Sequence, residues 1–83
     1  MREVAIRDDV IRLGQLLKLA GVADSGADAK ELLATGAVRV NGEVDVRRGR
    51  QVHPGDVVAH AGAGPGEQGG SFVVVSAPSG ARP

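Results

Sequence analysis

Two short apolar stripes at helical spacing, each closed by a glycine, with an Asn-Gly turn signal soon after the second, constrain this chain more than any other feature. From about Arg12, the residues Leu13, Leu16, Leu17 and Ala20 fall at i, i+3, i+4 and i+7, while Arg12, Gln15 and Lys18 point elsewhere. Gly21 supplies the stop. A second helix begins at Ser25, whose hydroxyl is placed to cap it with Asp28 three residues on, and its buried face is Ala29, Leu32 and Leu33, ending at Gly36. So few residues separate the two that they must pack as a helical hairpin or corner.

Strands flank this pair. Residues Glu3 to Arg7 alternate Val4 and Ile6 against charged neighbours, the period of a half-buried strand. After the helices, Asn41-Gly42 marks a tight hairpin. A three-residue loop of Val40, Asn41 and Gly42 would pair Val38 with Val44 and Arg39 with Glu43. One face would then be apolar (Val38, Val44, Val46) and the other charged (Arg39, Glu43, Asp45, Arg47), so this register is expected over a two-residue turn. His53-Pro54-Gly55-Asp56 carries Pro and Gly where a type II turn wants them and leads into a Val57-Val58-Ala59 strand. Further on, SFVVVSA reads as a buried strand able to pair with the N-terminal one. The expected fold class is α+β, two short helices packed on a small mostly antiparallel sheet.

The core must be thin. Of the hydrophobic residues, 12 are Ala and 13 are Val, leaving 6 Leu, 2 Ile, 1 Met and 1 Phe for bulk. With no Cys there is neither a disulfide staple nor a thiolate metal site, which suits a reducing cytoplasm. Eighty-three residues fit one domain. It is expected over residues 1–77, with a flexible glycine-rich loop at 61–70 and a frayed tail at 78–83. The N-terminus has no long apolar run and no window reaches a membrane span, so neither secretion by signal peptide nor membrane insertion is expected.

Catalytic chemistry finds few residues to work with. His53 and His60 sit seven apart around a turn and a strand, without Cys or a helical metal motif, and read as ordinary surface or strand residues. Asp8 and Asp9 are adjacent, so their side chains diverge, and they read as cap or dipole partners at a helix start. No metal, cofactor or enzymatic activity is expected. Phe72 is the only aromatic residue, whereas modules that read single strands by stacking present several rings. The net charge is zero, so any nucleic-acid role must rest on a local patch built from phosphate contacts. Lys18 and Lys30 lie off the apolar stripes, and Arg39, Arg47, Arg48 and Arg50 follow in and after the hairpin. On spacing alone, a phosphate-binding patch and a solvated face with salt pairs, such as Arg39 with Glu43, fit equally well.

The order of motifs adds to this. RLGQLLKLAG, then SGADAKELLATGAVRVNGE, then RRGRQVHPGDVV resembles the ribosomal protein S-four-type RNA-binding domain, or alpha-L motif, and within it the small stand-alone bacterial YbcJ-like members. The likeness spans Ile11 to Val58. It implies a helix pair on a small sheet that grips structured RNA, of the ribosomal or transfer RNA class, by backbone contacts. Carried over position by position, the RNA-binding residues it implies are Lys18, Ser25, Lys30, Arg39, Asn41, Arg47, Arg48 and Arg50, with Asn41 expected to shape the hairpin more than to touch RNA. Gly26 stands where many members carry Arg. The expectation is therefore a cytoplasmic, monomeric, non-catalytic binder of structured RNA. A protein-interaction adaptor on a ribosome-associated assembly is the alternative.

Overall fold

The computed structural model describes residues 2–61 and 69–77. The chain runs β1 (Arg2–Ile6), β2 (Ile11–Arg12), α1 (Leu13–Leu19), α2 (Gly26–Ala34), β3 (Val38–Val40), β4 (Glu43–Val44), β5 (Gln51–Val52), β6 (Val57–His60) and β7 (Gly70–Ser76). Five strands form one sheet in the order β1-β7-β6-β3-β4, and β2 pairs with β5 in a second, two-stranded ladder. Among the described residues, only β1 and β7 are parallel and every other pairing is antiparallel. This is the expected α+β architecture, including the pairing of the N-terminal strand with the last one. Most of the glycine-rich stretch (62–68) and the tail (78–83) lie outside the described residues.

The stripes read from the sequence become the core. Leu13, Leu16, Leu17 and Ala20 of the first, and Ala29 and Leu33 of the second, are buried in one cluster with Val4, Ile6, Val38, Val40, Val52, Val58, Phe72 and Val74. Leu32 is half-buried at its edge. Gly21 and Gly36 both adopt φ of 77°, the left-handed conformation that ends a helix without a Cβ penalty. Ser25 caps α2 as expected, its Oγ accepting from the Asp28 N–H at 3.1 Å. Asp8 and Asp9 do not cap α1. They lie in a bend before β2, and the residue preceding the helix is Arg12, with no side-chain cap. The first N–H groups of α1 are satisfied instead by a distant loop: Leu13 donates to the Arg50 carbonyl at 2.8 Å and Gly14 to that of Arg48 at 3.0 Å.

The hairpin register differs from expectation. Arg39 faces Val44 and Val40 faces Glu43 across a two-residue Asn41-Gly42 turn, with φ of 52° and 86°. Positive φ at both turn residues is the type I′ geometry, whose twist matches that of the flanking strands. This register keeps Val38 and Val40 both fully buried in a strand flanked on either side, at the cost of exposing Val44 and Val46, which are 50% and 55% accessible. Opposite Val38, the Asp45 N–H donates to the Val38 carbonyl at 3.1 Å, and Asp45, expected on the solvent face, is 5% accessible. Arg39 correspondingly pairs with no Glu43 carboxylate; its Nη1 donates to the Gly42 carbonyl at 3.3 Å. The His-Pro-Gly-Asp turn forms as read, with Gly55 at φ 97° and the Asp56 N–H donating to the His53 carbonyl at 3.0 Å.

Candidate functional site

A buried carboxylate organises the loop after β4. Asp45 Oδ1 accepts from the Arg47 backbone N–H at 2.9 Å and from Arg47 Nε at 3.1 Å, while Oδ2 accepts from Arg47 Nη2 and Arg50 Nη1, each at 2.9 Å. The Arg50 N–H closes the turn onto the Arg47 carbonyl at 3.3 Å. Carbonyls of Arg48 and Arg50 accept the first N–H groups of α1, so the loop is tied to the carboxylate on one side and to the helix start on the other. Between these anchors, Arg48 is exposed. The loop packs on the helix start here: a Cβ at Gly14 would stand 3.4 Å from the Arg48 Cβ, an ordinary packing distance.

What the loop meets is a cleft lined by Arg12, Gly14, Gln15 and Lys18 around α1, by Gly26 at the start of α2, and by Arg48 and Gly49. Among the described residues, three cations and no carboxylate line it. None of the three has an ion-pair partner among the described residues. A second groove, along α2, is lined by Asp24, Asp28 and Glu31 together with Val22, Ala23, Leu32 and Thr35. The zero net charge of the chain thus conceals a separation of sign: the charged side chains lining the cleft are all basic, although the chain as a whole is neutral. An anion with several oxygens, such as a backbone phosphate, is the ligand this arrangement suits: guanidinium forks from Arg12 and Arg48, a point charge from Lys18, and an α2 start at which a Cβ on Gly26 would find open space.

Of the eight residues singled out from sequence, Lys18 and Arg48 line the cleft, and Ser25 sets the start of α2 beside Gly26. Arg47 and Arg50 are engaged by Asp45. Lys30 is exposed on α2 and is not among the cleft residues. Asn41 is occupied within the fold: its Nδ2 donates to Asp56 Oδ1 at 3.1 Å and its Oδ1 accepts from the Val57 N–H at 2.9 Å. Arg12 and Gln15, which share with Lys18 the helical phase off the apolar stripe, are cleft residues absent from the expected set, and that shared phase is the signal that points to them. Sequence reasoning also passed over the structural meaning of Asp45, whose Asp-x-Arg-x-x-Arg spacing was the available signal.

Hydrogen bonds from the Arg47 guanidinium hold the Asp45 carboxyl far below the usual carboxylate range; the Arg47 backbone N–H and Arg50 add to this, and burial acts in the opposite direction. Asp56 is also lowered, first by the His53 backbone N–H and then by the Asn41 amide. A carboxylate depressed in the folded state contributes stability that is present above its unfolded pKa, about 4, and is lost as pH falls from there toward the folded value. Asp45→Asn should therefore lower stability at pH 7 by roughly 1.5–3 kcal/mol, the range for hydrogen bonds involving charged groups. The gap to wild type should narrow below about pH 4. Urea titrations at pH 7 and pH 3 check this, and a gap of constant size would mean that the Asp45 charge does not contribute.

With this geometry in place, comparison with known proteins is direct. A family model described as S4 domain matches residues 4–64. This chain belongs to that family. A Bacillus subtilis (strain 168) protein named "Probable ribosome maturation protein RlbA" is 49% identical over 73 residues, spanning 88% of this chain and 94% of the relative. The Escherichia coli (strain K12) "Putative RNA-binding protein YbcJ" is 42% identical over 52 residues, spanning 63% of this chain and 74% of the relative. The match covers both helices, the hairpin, the Asp45 loop and β6, and so contains the whole cleft.

Proposed function

We propose that this S4 domain is a non-catalytic, cytoplasmic binder of structured RNA that seats the phosphate backbone in the Arg12, Lys18 and Arg48 cleft. The observation carrying this reading is the convergence of three cations on a cleft where, among the described residues, they have neither an ion-pair partner nor a carboxylate beside them, in a chain whose charges otherwise cancel. The name of the Bacillus relative, a ribosome maturation protein, favours ribosomal over transfer RNA as the target. Recognition works through phosphate positions and helix shape more than through base stacking, because the one Phe, Tyr or Trp ring of the chain, Phe72, is fully buried, which leaves only the imidazoles of His53 and His60. Ser25 serves by fixing the start of α2, Asn41 by fixing the hairpin, and Lys30 and Arg39 lie outside the primary interface.

Affinity purification of the tagged protein, with and without ribonuclease, tests this reading, followed by sequencing of the retained RNA. Ribosomal RNA should be enriched, and association with ribosomal particles should disappear on nuclease treatment. Association that survives nuclease would favour the adaptor reading instead, with the exposed Val44 and Val46 as its natural docking residues.

A further inference from the structure

The loop after β4 carries three arginines, yet only one of them, Arg48, faces the cleft with its guanidinium free of an ion-pair partner among the described residues. Resting on the RNA-binding reading above, we infer that Asp45 is a specificity-determining residue: by engaging Arg47 and Arg50 it restricts phosphate neutralisation to the Arg12, Lys18 and Arg48 cleft. Arg47 gives Asp45 its Nε and Nη2, one of the edges of the guanidinium that would otherwise be open to grip a phosphate with two parallel bonds. That side chain is 71% accessible, so Asp45, and not burial, keeps the edge from other anions. Arg50 is one-quarter accessible and gives Nη1 to the same carboxylate.

Sequence-independent affinity for RNA grows with the number of phosphates neutralised. A chain that presented all three loop arginines would hold any strand, folded or not. Two guanidiniums on one buried carboxylate keep a net charge of +1, but with donors held on Asp45 they are restrained, and the freely placed cations left are a smaller set with fixed spacing, which an RNA of matching backbone shape satisfies best. The neutral overall charge acts in the same direction.

The test measures affinity against salt for two fluorescent probes of equal length, an RNA stem-loop and single-stranded poly(U). Asp45→Asn should steepen the slope of log affinity against log salt by roughly 0.7–1.8 units, one or two further phosphates, on both probes. Its low-salt gain should be larger on poly(U), so that discrimination between the probes falls. Arg47→Ala in the wild-type background should leave the slope unchanged, while in the Asp45→Asn background it should take back roughly 0.7–0.9 units. A role of Asp45 in stability alone would weaken binding without steepening the slope. An unchanged or shallower slope for Asp45→Asn overturns the inference, as does a shallower slope for Arg47→Ala alone. If Asp45→Asn fails to fold, a shallower slope for Arg47→Ala alone still overturns the inference. Wild-type binding that depends on Arg48, combined with a negative result for Asp45, sinks this inference and leaves the RNA reading standing; absence of salt-dependent wild-type binding to either probe removes both.

Discussion

Replacing Arg12, Lys18 and Arg48 together by alanine should reduce affinity for structured RNA by roughly a hundredfold or more at 0.1 M salt, with the salt slope shallower by roughly 2–3 units. The magnitude follows from counterion release, at ~0.7–0.9 units for each phosphate that is no longer neutralised. All three side chains are exposed and none has an ion-pair partner among the described residues, so the fold should tolerate the change, within about 0.5 kcal/mol per site. Alanine also retains the Arg48 Cβ that lies against Gly14. Thermal melts of the triple variant serve as the control. Wild-type affinity and slope in a folded triple variant would place the phosphates elsewhere on the molecule and move the adaptor reading ahead.

Phe72→Ala should have the largest effect on stability, a loss of roughly 3–5 kcal/mol. Phe72 is fully buried in β7, between Arg2 of β1 on one side and Val58 of β6 on the other. It is the largest side chain in a core otherwise made of Leu, Val, Ile and Ala, and these small neighbours offer little flexible bulk with which to refill the space. Since small domains hold about 5–15 kcal/mol in total, the variant should keep only a fraction of its folding free energy. Urea denaturation followed by circular dichroism measures the change, and a midpoint equal to wild type would mean that the helices and sheet do not depend on this ring for their packing.

Local chemistry made much of this protein legible before its structure. Helical phase is a property of neighbouring residues, so Leu13, Leu16 and Leu17 could be assigned inward and Lys18 outward from spacing alone, and Gly21, Ser25 and Gly36 end or begin helices for reasons contained in a few adjacent residues. The turn at Pro54-Gly55 and the strand after it were readable on the same grounds. The motif order led to the family, and the match over residues 4–64 agrees with it.

The hairpin register and the composition of the cleft were not readable in this way, because each depends on partners distant in sequence. A uniform apolar face on the hairpin looked favourable in isolation. In the folded chain, β3 lies between β6 and β4, so Val38 and Val40 must both face the core; Val44 turns out to solvent and Asp45 turns in, where Arg47 and Arg50 can satisfy it. The same long-range packing sorted the arginines. Arg12 and Arg48 are thirty-six positions apart and became neighbours only when the start of α1 donated its N–H groups to the carbonyls of the Asp45 loop. Charge counting along the chain could show that a patch was needed, but which cations share it depends on how a helix end, which must find acceptors or donors for its unpaired backbone groups, meets the loop that supplies them.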